Sequence, residues 1–310
     1  MKGFIIRKLL LTIPLLVGIT FTTFSLIKAL PGDPVYSIVG ERSSPEIIEK
    51  IRKEIGPDKS IVGQYGGYIK LLMQGELGRS YFTNRRVSDE IRVKFPNTMR
   101  LAFASMLIAA PLGVFFGFIA AKKRGGAADR LITLLSVSGI SMPVFWSGLL
   151  LMLLFSLRLK LLPPSGTGGI RYLLLPAITL SLPAIATLVR VTRVTVIDIM
   201  DTPFIRTARA KGITESGIST IHIFKNAMIP VITIIGLELG SYLNGAVLTE
   251  TIFGWNGIGR YAMEGITKRD YPVVMGCLLV GTLVFIFMNL IVDIIYHYVD
   301  PRVRVHGTDR

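Results

Sequence analysis

The pattern of apolar and polar positions divides the chain into long uncharged runs joined by shorter, charge-bearing connections. A helix rising ~1.5 Å per residue needs ~20 apolar residues to cross a hydrocarbon core ~30 Å thick. Six runs meet that requirement: Leu9–Leu30, Thr98–Ala121, Leu131–Leu157, Tyr172–Val196, Met228–Leu248 and Val273–Tyr296. The third reads as one uninterrupted span. The first carries Lys28 near one end, where a long side chain reaches the headgroups. The fourth contains Pro176 and Pro183, which can kink it, and runs into Arg190 and Arg193. The fold class expected is an all-α membrane protein with six transmembrane helices.

A secretory signal looks similar at an N-terminus. Here Lys2, Arg7 and Lys8 precede a run of about 19 residues, Leu9–Ile27, against the ~7–15 of a signal core, and no small-x-small site follows. It reads as a retained first span. Orientation follows from the basic residues, which concentrate in short cytoplasmic loops. One side holds Lys2, Arg7 and Lys8, the 122–130 loop (Lys122, Lys123, Arg124, Arg130), the 190–227 loop and the tail residues Arg302, Arg304 and Arg310. The opposite loops, 158–171 and 249–271, carry three basic residues each. Both termini are therefore expected in the cytoplasm.

Residues 31–97 have a periodicity of their own. Pro45 can open a helix in which Ile47, Ile48, Ile51 and Ile55 recur up to Gly56-Pro57. Tyr65, Tyr68, Ile69 and Leu72 repeat the pattern before Gly75. The segment is expected to form a small external helical cap, either a docking surface for a partner or a plain lid. The organisation is thus 1–30 (N-terminus and first span), 31–97 (external), 98–296 (transmembrane core, with a cytoplasmic loop at 201–230) and 297–310 (cytoplasmic tail).

Composition agrees: 51% of residues are hydrophobic and mean hydropathy is +0.57. The net charge of +15 would raise nucleic-acid binding in a soluble protein, but the excess sits in short loops, so no nucleic-acid partner is expected. A single cysteine, Cys277, excludes an intrachain disulfide and cannot alone form a thiolate metal cluster. His222, His297 and His306 are scattered, and no paired carboxylates face each other within the spans, so the sequence offers neither catalytic residues nor a metal site.

The most informative segment is Asp201-Thr202-Pro203-Phe204-Ile205-Arg206-Thr207-Ala208-Arg209-Ala210-Lys211-Gly212. Thr202 can cap a helix start, Pro203 suits its first position and Gly212 suits the left-handed turn that ends it. The expected helix has about nine residues, with Phe204, Ile205 and Ala208 on one face and Arg206 and Arg209 elsewhere. A second amphipathic stretch, Ile218, Ile221, Phe224 and Met228, leads into Pro230 and the fifth span. Two readings stand on the residues alone: a short helix that pushes on a soluble partner, or one lying on the membrane with its arginines on anionic lipid.

Arg206-Thr207-Ala208-Arg209-Ala210-Lys211-Gly212, followed by Ile229-Pro230, resembles the coupling loop of binding-protein-dependent ABC importer permeases, of the dipeptide/oligopeptide/nickel branch and first-permease type. The wider superfamily has Glu-Ala-Ala where this chain has Arg206, Thr207 and Ala208, and a shorter glycine-to-proline interval; both departures are usual in the peptide branch. Ala29-Leu30-Pro31-Gly32-Asp33-Pro34, Pro96-Asn97-Thr98, Thr249–Gly259 and Asp300-Pro301-Arg302 are similar to the family as well. The resemblance implies a type I ABC importer permease fold in the bacterial cell membrane and a pore-forming subunit for dipeptides or oligopeptides, with nickel chelates or glutathione as alternative cargo. It implies a paralogous second permease, two cytoplasmic ATPases docked on Pro203–Gly212, and an external binding protein. No cofactor is expected in this chain. ATP and Mg belong to the ATPases, and the chain itself has no Gly-x4-Gly-Lys-Ser/Thr loop. Gly254-x-x-Gly257-x-Gly259 lacks the lysine and reads as a flexible turn.

Ionisable groups inside spans usually face a cavity or a partner. Glu238, Ser241 and Asn244 fall at intervals of three in the fifth span, and Gly236, Gly240 and Gly245 permit close helix approach. Either Glu238 and Asn244 line the substrate route, with Glu238 receiving a peptide ammonium, or they lie at a permease–permease interface. Asn289 and Asp293 read as helix-packing groups. A secondary transporter, the competing class, predicts inverted repeats with helices broken at the midplane, and the sequence shows neither.

Overall fold

The structure, a computed structural model, describes the backbone at residues 2–29 and 61–299, and side chains at 8, 10–26 and 63–295. The helix expected after Pro45, the turn at 30–34 and the tail from Asp300 lie outside the described residues. Helices dominate everything described. In chain order the α-helices of six residues or more are α1 (Lys2–Ala29), α2 (Ile61–Met73), α3 (Val87–Lys122), α4 (Ala127–Ser141), α5 (Val144–Met152), α6 (Ile170–Met200), α7 (Pro203–Ala210), α8 (Lys225–Leu243), α9 (Val247–Ile252), α10 (Ile258–Lys268) and α11 (Tyr271–Val299). π-helical turns follow α5 (Leu153–Arg158) and precede α8 (Ile218–Phe224).

Among the described residues, four helical stretches are long and apolar enough to cross a bilayer: α3, α6, α8 with the turns before it, and α11. The third run is not one span. It breaks into α4 and α5, bent by 101°. Pro143 is the cause: it has no N–H to donate, and it forces Met142 into an extended backbone (φ −81°, ψ 128°). A broken helix is therefore present where continuity was expected. Counted as one span, the pair makes a fifth, and α1 adds an apolar helix described over Leu10–Leu26. α6, by contrast, runs without a break through Pro176 and Pro183. α3 begins at Val87, well before Thr98, and its 36 residues reach about 54 Å, beyond the hydrocarbon thickness.

The centre is α3 against α6. A Cβ at Gly113 would lie 2.4 Å from Leu188 Cβ, and one at Gly117 2.6 Å from Thr192 Cβ, so this glycine pair, one turn apart, lets the two backbones close. α8 meets α11 in the same way, Gly236 against Val292 and Gly240 against Met288. Around this core, α1, α4 and α5 turn Leu10, Leu11, Ile13, Leu134, Leu135, Leu149 and Leu150 outward, as a chain solvated by lipid does. Lys8 of α1 forms an ion pair with Asp293 of α11, which gives Asp293 the helix-packing role expected of it.

Candidate functional site

Thr202 adopts the extended backbone of a helix cap (φ −74°, ψ 149°), and Pro203 follows at the first position. The Thr202 hydroxyl, however, does not cap α7: it donates to the Ile199 carbonyl at 2.5 Å. Only Asp201 and Thr202 link α6 to α7, so the hydroxyl reaches the last turn of α6 first. α7 has eight residues and closes in a Schellman turn, with Gly212 N donating to Arg209 O (2.9 Å) and Ile213 N to Ala208 O (3.3 Å). Gly212 is left-handed (φ +77°), and a Cβ there would meet nothing within 4 Å. Arg209 donates to both Glu215 carboxylate oxygens, at 2.7 and 3.5 Å, and fastens the exit from that turn.

Ile205 (0% exposed) and Ala208 are the buried residues of α7. They join a cluster with Ala121 of α3, Val196 of α6 and Ile218, Ile223 and Ala227 leading into α8. Phe204 does not share that face. It is 45% exposed, alongside exposed Pro203, Arg206, Thr207, Arg209, Ala210 and Lys211. The stripe that an eight-residue helix buries is narrow, and Phe204 lies one position, about 100°, from Ile205. The second expected stripe is also corrected. Ile221 and Phe224 are exposed, while Ile218, Ile223 and Ala227 are buried. The π-helical turn explains this, since widening the ring to i→i+5 sets Ile218 above Ile223 rather than above Ile221.

Two further ion pairs brace this end of the bundle. Arg193 of α6 donates to both oxygens of Asp129 in α4, at 2.6 and 2.8 Å, and Asp129 also accepts from Gly125 N at 2.9 Å. Arg124, in the same α3–α4 turn, pairs with Asp201 beside α7 at 3.0 Å. The sequence held no regular spacing that would signal either pair, because the partners are 64 and 77 residues apart.

At the opposite end, the Pro96-Asn97-Thr98 and Thr249–Gly259 segments form one buried knot. Glu250 (0% exposed) accepts from Thr98 Oγ1 at 2.7 Å and from Arg260 N at 2.9 Å; Thr98 Oγ1 accepts from Ile258 N at 2.9 Å. Trp255 Nε1 donates to Asn97 O, and Asn97 Nδ2 to Asn256 O, both at 2.9 Å. Burial pushes the Glu250 carboxyl above its ordinary range, against the hydrogen bonds from Thr98, Arg260 N and Gly259 N. The glycine-rich stretch is thus no free turn. A Cβ at Gly257 would sit 2.3 Å from Glu250 Oε1, so the glycine is what lets the backbone wrap the carboxylate.

Of the polar residues singled out in the fifth span, Glu238 is half-buried, and Ser241 and Asn244 are exposed. Glu238 makes no hydrogen bond or ion pair among the described residues. Asn244 ends α8 and leans on α11, its Oδ1 lying 2.0 Å from where a Cβ on Gly281 would stand. Among the described residues no group of three His, Cys, Asp or Glu side chains is gathered to hold a metal ion.

Comparison with known proteins bears on these surfaces. The family described as binding-protein-dependent transport system inner membrane component matches residues 113–305, and its N-terminal companion matches residues 1–102. The chain is 42% identical to the di/tripeptide transport system permease protein DppB of Pseudomonas aeruginosa, covering 98% of this chain and 99% of that one. It is 39% identical to the dipeptide transport system permease protein DppB of Escherichia coli, over 98% and 99% of the two chains. The glutathione transport system permease protein GsiC of E. coli is 38% identical, with the same coverage. In fold, it is similar to the inward-facing MetNI methionine ABC transporter, with TM-score 0.57 and 15% identity over 68% of this chain and 96% of that chain. A crystal structure of an amino acid ABC transporter with histidines gives TM-score 0.53 at 14% identity, over 68% and 94%.

Proposed function

Because the chain belongs to the family of binding-protein-dependent transport system inner membrane components, we propose that it imports short peptides as a pore-forming subunit driven by separate ATPases. It is a multi-pass inner-membrane transport subunit, not an enzyme. Short peptides are favoured as cargo by the names of its relatives, and glutathione, itself a tripeptide, falls within the same chemical class.

Six spans leave both termini and the 201–230 loop in the cytoplasm, and residues 61–97 and α9–α10 on the external side. This chain pairs with a paralogous second permease, two ATPases carrying ATP and Mg dock from below, and an external binding protein delivers the peptide. The observation that carries the coupling role is the build of α7. Its inner side is locked to α3, α6 and the base of α8 through Ile205 and Ala208, while Phe204, Arg206 and Lys211 remain presented. A push on α7 is thereby shared among three spanning helices. A helix resting on lipid would need no such anchorage.

Cysteine at Phe204 tests this. In the assembled transporter, Phe204→Cys is expected to cross-link to an ATPase subunit, with a yield that changes on adding ATP. Labelling from a lipid-phase probe with no ATPase cross-link would contradict the docking role. On the pathway, Glu238, Ser241 and Asn244 are proposed to line the route, with Glu238 receiving the peptide ammonium. Glu238→Gln is expected to lower uptake while sparing assembly, and unchanged uptake at limiting peptide would sink that assignment.

A further inference from the structure

Resting on the peptide-import reading, we infer that Arg190 is a second substrate pole, a site for the free carboxylate of a peptide two or three residues long whose ammonium end meets Glu238. A groove of about 300 Å³ lies between α4 and α6, lined by Thr133, Ser136, Ser141, Val189, Arg190 and Arg193 among others. The two arginines in it differ. Arg193 is neutralised by its two-point pair with Asp129. Arg190 is exposed and makes no hydrogen bond or ion pair among the described residues. Arg190 stands in the α7-side third of α6, where an unpaired guanidinium faces water, a lipid headgroup or a ligand. Ser141, at the other end of the groove, likewise has a hydroxyl without a hydrogen bond among the described residues.

The helix contacts place Arg190 and Glu238 on the same side of the bundle. α6 turns Leu188 and Thr192 toward α3, Ala186 and Arg193 toward α4, and its Leu180 carbonyl toward α8. The strip left over, between α4 and α8, carries Arg190 and Val194. α8 turns Gly236 and Gly240 toward α11, and Tyr242 toward α6, while Val231 and Leu243 join the core. Glu238, seven positions from Val231 and four from Tyr242, lies on the α6-facing edge of α8, with Ser241 further round and exposed. Arg190 on α6 and Glu238 on α8 thus border the same α6–α8 seam, a basic side chain on one helix and an acidic one on the other.

Their separation also fits. The Tyr242 hydroxyl donates to the Leu180 carbonyl at 2.9 Å, which levels α8 with α6. Counting ~1.5 Å per residue toward the α7 end, Glu238 lies about 6 Å and Arg190 about 15 Å from that level, about 9 Å apart along the bundle; with packed helix axes ~8–10 Å apart their backbones stand about 12–13 Å apart, a gap that the long arginine and glutamate side chains can shorten. An extended peptide spans at most ~3.5 Å per residue, so about 7–10 Å for two or three residues. An arginine fork suits a terminal carboxylate, which it can grip at both oxygens.

The test uses the complete transporter, with its binding protein at saturating concentration, in vesicles of phosphatidylcholine containing either no or one-third phosphatidylglycerol. Maximal uptake is measured for a labelled dipeptide and for the same dipeptide as its C-terminal amide. For wild type, the free acid is expected to run tenfold or more faster than the amide. Arg190→Gln should lower free-acid uptake about tenfold and the amide far less, so that the ratio falls toward one, with Arg190→Lys between. Equal loss on both substrates, or no loss on either, would overturn the assignment. A loss in Arg190→Gln that follows the phosphatidylglycerol content instead would overturn it in favour of a lipid headgroup. Absence of any dipeptide uptake by the wild-type complex would refute the peptide-import reading itself, a result distinct from a wild type that carries dipeptides without regard to their carboxylate.

Discussion

Truncating Ile205 to alanine probes the anchorage of α7 with the least ambiguity. The side chain is 0% exposed and packs with Ala121, Val196, Ile218, Ile223 and Ala227. Removing three buried carbons at ~0.8 kcal/mol each costs about 2.4 kcal/mol in transfer alone. The cavity left behind raises the range to about 2–4 kcal/mol. α7 has eight residues and buries only one other side chain, Ala208, so most of its apolar anchorage is lost with Ile205. The expectation is a transporter that assembles and hydrolyses ATP, yet imports less peptide per ATP, because a loosened α7 no longer passes movement to three helices. Hydrogen exchange over 203–210 should quicken in the same variant, while Ile205→Val, costing about 0.5–1.5 kcal/mol, should fall between. Peptide imported per ATP is the deciding assay. An unchanged ratio in Ile205→Ala, with faster exchange confirmed, would refute the proposed route of force.

Gly212 offers a complementary test, because a Cβ there meets nothing and any effect must come from the backbone: Gly212→Ala should cost about 1–2 kcal/mol of turn stability and Gly212→Asn less, with Gly212→Val the most uncoupled by the same uptake-to-ATP ratio. Glu250→Ala would leave the Thr98, Arg260 and Gly259 donors without an acceptor and should lower the thermal or denaturant stability of the complex by about 3–5 kcal/mol. The same change made in Thr98→Val should cost less in combination than the two losses added, because the groups share one network. Asp129→Asn breaks a pair whose carboxylate is 5% exposed and whose arginine is 28% exposed, so about 2–4 kcal/mol is expected, discounted for that exposure, with loosening of α4 against α6 seen by hydrogen exchange.

Much of the architecture was legible in the sequence, for identifiable reasons. Charge-free runs marked the apolar helices because a charged group facing lipid at those depths is costly. The α7 loop was legible because Pro203 and Gly212 act through their own backbones, whatever surrounds them. What failed depended on neighbours. Thr202 had a competing acceptor in Ile199, Phe204 faced outward from a narrow buried stripe, and the π-helical turn moved burial from Ile221 to Ile223, a shift that a 3.6-residue period cannot anticipate. Pro143 was visible, but its apolar surroundings hid the break. The Glu250 knot and the Asp129–Arg193 pair join residues 152 and 64 positions apart, so their segments could be noticed separately but not brought together.

The central claim is that this chain conducts short peptides only when ATPases act on it through α7. Its most direct test measures labelled dipeptide uptake and ATP hydrolysis together in vesicles containing this chain, its partner permease, the ATPases and the binding protein. Uptake is expected to require ATP, to vanish when the ATPases are omitted, and to fall per ATP in Ile205→Ala. Dipeptide accumulation that persists without the ATPases would contradict it.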